Sequence, residues 1–359
     1  MTYSKYESDQ MRKHFLKKKL KIFIGSWNMN NQDPHIEINS FIKPSVEHNV
    51  DIIIFGTQES FTYVMEKWEY KIQKAIGSTY IMKAKSQLGK LYIFLFVRYE
   101  LRKFTSVHKM KSVLPSTSTV LKTKGAISLT LTIFGKNLLF VNTHLIPHSY
   151  NWKKRYEQLT KIVDLLGFYE SDVHRKIKNL RINFDVIFYF GDFNFRLNLP
   201  RENVMNLIRK THYPTEISVI SSHDQLKILL DTNSILQGFC ETDITFPPTY
   251  KFDYGTQVLD SSQKRRTPSY TDRILHKNKL QYFLCNLDHK LIKSGVMLTD
   301  IIYDSIRNVR TSDHKPVYGI YHINFFTDIY TSPNKRVLYG LMDYVITDSH
   351  QKLPVKVFF

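Results

Sequence analysis

Short runs of β-branched and aromatic residues recur along most of the chain and predict β-strands. These runs cover residues 22–27, 52–56, 91–98, 127–134, 138–144 and 186–191. Residues 152–168 and 225–236 instead repeat apolar side chains at helical spacing, with charged positions between them. The pattern therefore predicts two blocks of strands interrupted by helices, and it shows no internal repeat.

One folded domain, residues 21–325, is predicted from this pattern. The polar segments 169–181 and 253–266 are short enough to be loops, and no Pro/Gly/Ser-rich linker divides the chain. A basic N-terminal segment, residues 1–20, precedes the domain, either as a solvated arm or as an arm attracted to anionic lipid. A C-terminal tail of unknown role, residues 326–359, follows, with helix-like spacing at 337–345.

Charge narrows the class of partner. Lys and Arg number 51 against 32 Asp and Glu, which gives a formal net charge of +19. Such an excess attracts an anionic partner, but it does not separate nucleic acid from anionic lipid or a small polyphosphate. No apolar run approaches the ~18 residues of a membrane span, no secretory signal is visible, and only Cys240 and Cys285 are present. We therefore expect a cytoplasmic protein from a reducing compartment.

Polar side chains close several of the predicted strands. A sheet commonly presents a functional site in this way, with the core behind it holding the site rigid. Each residue alone has a structural explanation, such as an Asx turn or a hydrogen-bonded core histidine, but their coincidence indicates a site. The set consists of Asn28, Glu59, His144, Asp192 and Asn194, joined by Asp313 and His314 of a Thr-Ser-Asp-His-Lys-Pro motif.

The chemistry of this set favours Mg²⁺ over zinc. Carboxylate and amide oxygens are hard ligands, and no cysteine cluster accompanies the two histidines. Hydrolysis of a phosphate ester is the reaction that such a site would most naturally perform.

The ordered series resembles the endonuclease/exonuclease/phosphatase superfamily over residues 21–320. Two further motifs, Phe-Pro-Pro-Thr-Tyr-Lys-Phe-Asp at 246–253 and Arg-Thr-Pro-Ser-Tyr-Thr-Asp-Arg-Ile-Leu at 266–275, are similar to those of its inositol polyphosphate 5-phosphatase branch. The resemblance implies an α+β, DNase I-like fold, a four-layer α/β/β/α sandwich of two facing mixed sheets flanked by helices. It also implies Mg²⁺-dependent removal of the 5-phosphate from phosphoinositides that carry a 4-phosphate, and soluble inositol polyphosphates are further candidate substrates.

The same resemblance implies a role for each site residue. Glu59 with Asn28 would hold Mg²⁺, Asp192 would deprotonate the attacking water, and His314 would donate a hydrogen bond to the phosphate. The other implied catalytic residues are Asn194, which positions the water, Asp272, which orients the histidine, and His144 and Asp313, which complete the pocket. The spacing of two between Asp192 and Asn194 predicts that both lie on one side of a strand. Structural alternatives for two of them are an ion pair of Asp272 with Arg273 and a turn capped by Asp313.

A clamp on a neighbouring phosphate is implied as the source of selectivity, because a second anion held by cations orients the ring before attack. The implied clamp residues are Tyr250, Lys251, Lys264 and Arg266. Lys124 is implied to bind substrate and is kept, but Thr123 stands where the family has an Asn implied to contact the 1-phosphate, so contact with that phosphate should be altered or weakened.

Three other functions use similar residues or the same scaffold. A nuclease or phosphodiesterase of the superfamily would share the metal site, and a phospholipase such as a neutral sphingomyelinase would cleave a diester. A non-enzymatic lipid-binding module would require the loss of a catalytic group, and none of the expected groups is lost. The clamp argues against the first two, so we expect a phosphoinositide headgroup and the surface of an anionic membrane as partners, and no nucleic acid.

Overall fold

Two β-sheets make up the centre of the molecule. The structure, a computed structural model, describes residues 19–33, 37–114, 124–168, 184–210, 215–232, 235–279, 292–332 and 335–339. The first sheet has the order β11-β12-β1-β2-β4-β3, with β13 paired to β12, and the second has the order β5-β6-β7-β8-β10-β9. β1 pairs with β2 and β7 with β8 in parallel, and the other pairs are antiparallel, so both sheets are mixed.

The strands of the first sheet are β1 (Lys19–Asn28), β2 (Ile52–Gln58), β3 (Tyr80–Leu88), β4 (Leu91–Arg98), β11 (Ile292–Ser305), β12 (Val317–Ser332) and β13 (Lys335–Tyr339). Those of the second are β5 (Thr105–Val113), β6 (Gly125–Ile133), β7 (Lys136–His144), β8 (Val186–Asp192), β9 (Cys240–Glu241) and β10 (Asp272–Asn278). The described helices are α1 (Glu37–Glu47), α2 (Thr62–Ile76), α3 (Trp152–Leu166), α4 (Arg201–Arg209), α5 (Thr215–Ser221) and α6 (Gln225–Thr232).

The core lies between the sheets, and helices cover their outer faces. Because side chains alternate along a strand, Ile22 and Ile24 of β1 point into the inter-sheet core while Phe23 points toward α1. On the other side, Leu159 of α3 packs with Val141 of β7 in a separate outer core. The result is helix, sheet, sheet and helix in four layers, which confirms the predicted fold class.

Most predicted elements are present, with two differences. The helix predicted at 225–236 ends at Thr232. The helix-like reading of 337–345 is wrong where it can be examined, because β13 is a strand whose Leu338 pairs with Thr331 of β12, and residues 340–345 lie outside the described chain. The loop predicted at 169–181 also lies outside it. Of the helices in the described ranges, none has the length and apolar character needed to cross a membrane.

Candidate active site

The ends of four strands from both sheets meet at one rim of the sandwich. The parallel registers pair Asn28 with Gln58 in the first sheet and His144 with Asp192 in the second. β10 runs antiparallel to β8, so its first residue, Asp272, pairs with Asp192 at the same rim. The sequence patterns predicted polar strand ends, and the topology brings them together.

A buried polar bridge fixes the two sheets to each other just behind this rim. The Nε2 of Gln58 donates to the Oδ1 of Asn142 at 2.7 Å, and both side chains are fully buried. Gly56 makes room for this contact, because a Cβ there would lie 2.3 Å from the Asn142 side chain. Gln58 directly precedes Glu59 and Asn142 lies two residues before His144, so the bridge sets the spacing of these two site residues.

Glu59 and His144 face each other across a half-buried lysine. The Nζ of Lys124 lies 3.5 Å from the Oε1 of Glu59 and 2.6 Å from the Nε2 of His144. Burial lowers the pKa of Lys124, although Glu59 opposes the shift. Burial and the charge of Lys124 together lower the pKa of His144 against the opposing effect of Asp192, so this imidazole is neutral at physiological pH.

Asp192 lies at the centre of the site and accepts hydrogen bonds on both oxygens. Asn28 donates through Nδ2 to Oδ2 at 2.9 Å, and the backbone N–H of Asn194 donates to Oδ1 at 2.9 Å. Burial would raise the pKa of Asp192, but His144, His314 and Lys124 outweigh it and lower that pKa. The carboxylate is therefore ionised throughout the neutral pH range.

Asn194 reaches Asp192 by a different route from the one that the sequence suggested. The spacing of two predicted that both side chains share one face of a strand, but β8 ends at Asp192. Asn194 has a φ of 57°, in the left-handed region, and its Nδ2 lies 3.2 Å from the Oδ2 of Asp192. A turn, and not strand alternation, brings these two groups together.

His314 forms an ion pair with Asp272 at the same rim. Its Nδ1 lies 2.8 Å from the Oδ2 of Asp272, an oxygen that also accepts from the hydroxyls of Thr249 and Thr271 at 2.9 Å each. Burial alone would lower the pKa of His314, but Asp272 and the nearby Asp313 and Asp192 raise it to about 10. The contact that would let Asp272 orient His314 is thus present. The alternative ion pair of Asp272 with Arg273 is absent from the described contacts, because Arg273 binds Asp224 and Glu241.

The residues predicted to clamp a neighbouring phosphate lie beside this histidine or in the loop at 253–266. The ring of Tyr250 lies 4.5 Å from that of His314, and the Nζ of Lys251 donates to the Oδ2 of Asp313 at 2.7 Å. Burial alone would lower the pKa of Lys251, but Asp313 and Tyr250 together raise it, so this side chain is a cation at neutral pH. The carboxylate of Asp313 thus pairs with Lys251, whereas the structural alternative from the sequence was that it caps a turn.

Lys264 and Arg266 belong to the polar loop at 253–266, which follows Lys251 in the chain. Lys264 is exposed, and the backbone N–H of Arg266 is held by Asp260 at 2.8 Å. Burial lowers the pKa of His148, and so do the nearby charges of Arg266, Arg196 and Lys264. Lys124 is described, whereas Thr123, where the chain departs from the family pattern, lies outside the described residues.

Arg196 belongs to the site although it was not predicted. Its Nη2 donates to the Oδ1 of Asn194 at 2.6 Å, and its guanidinium lies 4.4 Å from the Tyr250 ring. Because the Asn194 oxygen faces Arg196, its Nδ2 faces Asp192, so the arginine fixes the orientation of the amide. Its position two residues after Asn194 in Asp-Phe-Asn-Phe-Arg is the signal that could have identified it.

The donor set fits a hard divalent cation. Among the described side chains, the buried Oδ1 atoms of Asp272 and Asp313 accept no hydrogen bond. Ligand atoms of Asp192, Asp272 and His314 lie within 4.8 Å of one another, a grouping that differs from the predicted Glu59 and Asn28. The predicted pair stays a prediction, with oxygen ligands that suit Mg²⁺ better than the imidazolium of His314, whose Nδ1 is bonded to Asp272.

Comparison with known proteins points to one family. Residues 25–320 match endonuclease/exonuclease/phosphatase family 2. Phosphatidylinositol polyphosphate 5-phosphatase type IV of Pan troglodytes is 31% identical over 323 residues, which cover 88% of this chain and 48% of that protein. The type II inositol 1,4,5-trisphosphate 5-phosphatase of Mus musculus is 28% identical, over 84% of this chain and 30% of that protein. The chain thus spans about half the length, or less, of these curated relatives.

Solved structures confirm the fold. The inositol polyphosphate 5-phosphatase domain of SPsynaptojanin, in complex with inositol (1,4)-bisphosphate and calcium, has a TM-score of 0.69 at 24% identity, covering 90% of this chain and 93% of that one. A Cimex nitrophorin, solved as a ferrous NO complex, has a TM-score of 0.63 at 20% identity, covering 86% of this chain and 99% of that one. Because so different a protein shares the fold, function must be argued from the site.

Proposed function

We propose that this chain, a member of endonuclease/exonuclease/phosphatase family 2, is a Mg²⁺-dependent phosphomonoesterase of the inositol polyphosphate 5-phosphatase type. Its substrates would be phosphoinositides that carry a 4-phosphate beside the 5-phosphate, with soluble inositol polyphosphates as further candidates. The curated relatives are named as enzymes acting on both kinds of molecule. Residues 21–325 would form the catalytic unit.

One observation carries the proposal most directly. Asp313 accepts from Lys251 of the clamp motif, and its Oδ1 lies 4.0 Å from the Nε2 of His314. The group proposed to hold the 4-phosphate and the group proposed to act on the 5-phosphate are therefore adjacent. A nuclease or a sphingomyelinase, which cleaves a diester, has no need of a cationic clamp at this place.

The proposed reaction is attack of water on the phosphorus of the 5-phosphate. The bond that breaks joins this phosphorus to the ester oxygen on ring carbon 5. Asp192 is ionised and held by Asn28 and Asn194, so it can align the water and take its proton. The released alkoxide takes up a proton and becomes the 5-hydroxyl, and inorganic phosphate is the second product.

His314 would stabilise the charge that builds up on the phosphate oxygens. Its Nδ1 is committed to Asp272, so its Nε2–H is the donor available to the phosphate. Because the imidazolium is paired on one side only, it can supply a charge-assisted hydrogen bond without losing its own partner.

Glu59 and Asn28 would hold the metal, which supplies charge neutralisation at the scissile phosphate and the leaving oxygen. Lys124, near Glu59, would bind the substrate. Tyr250, Lys251, Lys264 and Arg266 would hold the 4-phosphate, and Arg196 would keep Asn194 in its orientation.

We also propose that the protein works in the cytoplasm as a peripheral binder of anionic membranes. The net charge of +19 and the cations near His148 support attraction to an anionic surface. Binding to anionic liposomes should weaken as salt rises, because exposed charges are screened. Salt-insensitive partitioning would contradict this part of the proposal.

The function is tested by phosphate release. The substrates would be phosphatidylinositol 4,5-bisphosphate, the 3,4,5-trisphosphate, phosphatidylinositol 5-phosphate and inositol 1,4,5-trisphosphate, each with Mg²⁺ and with a chelator, alongside a plasmid-cleavage assay. We expect Mg²⁺-dependent turnover where a 4-phosphate adjoins the 5-phosphate, and its loss in Asp192→Ala. Absence of phosphate release with DNA cleavage present would instead support a nuclease.

A further inference from the structure

A second basic cavity lies at the end of β1 opposite the catalytic rim. It has a volume of about 400 Å³, within the range of small-molecule pockets, and Lys19, Lys21, Arg98 and His322 supply its basic lining. Its acidic lining residues are Asp51 and Glu100. β1 runs from Lys19 to Asn28, so a rise of about 3.3 Å per residue separates this cavity from the catalytic rim by roughly 30 Å.

Strand register places three basic side chains beside one another. Lys21 pairs directly with His322 of β12, and Lys19 lies two residues earlier on the same face of β1. Like charges at such neighbouring positions of a sheet destabilise it. Burial and the two lysines lower the pKa of His322 to about 4, and Lys21 contributes to a lowered pKa of Lys19.

The acidic residues only partly relieve this repulsion. Both oxygens of Asp51 are engaged, since Oδ2 accepts the backbone N–H of Lys21 at 2.8 Å and Oδ1 lies 3.2 Å from the Nε of Arg98. With Glu100 counted as well, the lining carries three permanent cations against two carboxylates. An anion in the cavity would neutralise the remaining positive charge.

We propose that this cavity binds a soluble phosphate-bearing solute, such as inorganic phosphate or an inositol polyphosphate. A compact anion with several oxygens could accept from Lys19 and Arg98 together. A flat bilayer that contacts the catalytic rim would not reach a cavity at the far end of the strand, so the choice of a soluble ligand over a lipid headgroup rests on the proposed membrane contact. Anion binding in the cavity does not depend on the proposed catalytic activity.

The test follows the imidazole resonances of His322 by NMR while inositol hexakisphosphate or inorganic phosphate is added. A bound anion favours the protonated imidazole, so we expect the resonances to move and the pKa of His322 to rise by about one unit or more. Lys19→Gln should weaken the response at least tenfold, and Glu100→Gln should strengthen it. Lys43→Gln, which removes an exposed lysine paired with Glu47, is the matched control and should change nothing.

Vesicles containing phosphatidylinositol 4-phosphate separate the two sources of phosphate. A response of His322 to the soluble anions and not to the vesicles supports the proposal. A response only to the vesicles overturns it in favour of a lipid site, and an unmoved His322 overturns it altogether. An equal response in Lys19→Gln and in Lys43→Gln would show general charge attraction in place of a site.

Discussion

Two consecutive residues of β10 belong to buried charge clusters of different kinds. Asp272 faces the catalytic rim, and Arg273 faces the opposite side of the sheet. There, the Nη1 of Arg273 donates to Asp224 at 2.6 Å and its Nε donates to Glu241 at 2.7 Å, while Nη2 donates to the second oxygen of Glu241. One guanidinium is thus matched to carboxylates at every nitrogen.

The two clusters differ in the solvent exposure of their side chains more than in how completely their charges are hydrogen-bonded. Asp224 also has a buried oxygen without a donor, so an unpaired oxygen does not by itself mark a site. The Arg273 cluster is closed, with side-chain exposures of 1% for Arg273 and 9% for Glu241. At the rim, the side chains of Glu59 and Lys251 remain 31% and 24% exposed. A sealed cluster stabilises the fold, whereas charges that open to solvent can act on a ligand.

The largest expected effect comes from removing the charge of Asp192, at the centre of the catalytic rim. Asp192→Asn keeps the shape of the side chain but removes the charge that would accept the proton of water. We expect kcat to fall by about 10³- to 10⁴-fold, as for loss of a general base, with the protein still folded. The measurement is phosphate release by the purified variant, with circular dichroism as the folding control. A loss below tenfold would remove Asp192 from the proposed role.

Removing the cation of the sealed Arg273 cluster should lower stability rather than activity. Arg273→Met leaves Asp224 and Glu241 buried without their cation, so we expect the free energy of unfolding to fall by about 3–5 kcal/mol. Among molecules that remain folded, kcat should change only a few-fold. Urea denaturation measures the first quantity and activity per folded molecule the second.

Arg265→Met is the matched control for that variant. Its guanidinium is 67% exposed beside Glu202, and removing an exposed pair should cost at most about 1 kcal/mol. An Arg273 variant as stable as the Arg265 variant would contradict the structural role of the sealed cluster.

A smaller effect should separate the clamp from the rest of the rim. Lys264→Gln removes an exposed cation that touches no proposed catalytic group, so kcat/KM on phosphatidylinositol 4,5-bisphosphate should fall by about tenfold, as for loss of one charged contact. Turnover of phosphatidylinositol 5-phosphate, which lacks the 4-phosphate, should hardly change. Equal losses on both substrates would mean that Lys264 acts only through general attraction.

The smallest expected effect is a change in the free energy of unfolding with pH. The pKa of His314 is raised from an ordinary 6.5 to about 10 in the folded protein, so its ion pair stabilises the fold fully below about pH 6.5. That contribution should be lost as pH rises through 10. In chelator, the difference in unfolding free energy between the wild type and Asp272→Asn should therefore be largest near pH 6 and should shrink toward pH 10. A difference that grows with pH would contradict the ion pair.

Short motifs were enough to indicate the family, the family resemblance implied the fold class, and polar strand ends indicated most rim residues. Asn28 and Asp192 end strongly apolar runs, so their polarity stands out in the sequence alone. The edge strand β3 was not predicted, because Lys83, Lys85 and Ser86 interrupt its apolar pattern where one face meets solvent. The helix-like reading at 337–345 was wrong for residues 337–339, because pairing with β12 overrides the local spacing at Leu338.

Contacts between distant residues could not be read from the sequence. Arg273 and Asp224 are 49 positions apart, and nothing near either residue predicts their ion pair. The bridge from Gln58 to Asn142 joins two sheets across 84 positions. The roles assigned to the rim residues stay predictions, although the structure places those residues close together.

The most direct test of the central claim is the position of the phosphate that is removed. ³¹P NMR of inositol 1,4,5-trisphosphate treated with the purified protein and Mg²⁺ resolves the three phosphates and identifies the product. We expect loss of the 5-phosphate signal alone, appearance of inorganic phosphate and accumulation of the 1,4-bisphosphate, none of which should occur with Asp192→Asn. Removal of the 4- or 1-phosphate, or no reaction with this substrate or with phosphatidylinositol 4,5-bisphosphate, would contradict the account.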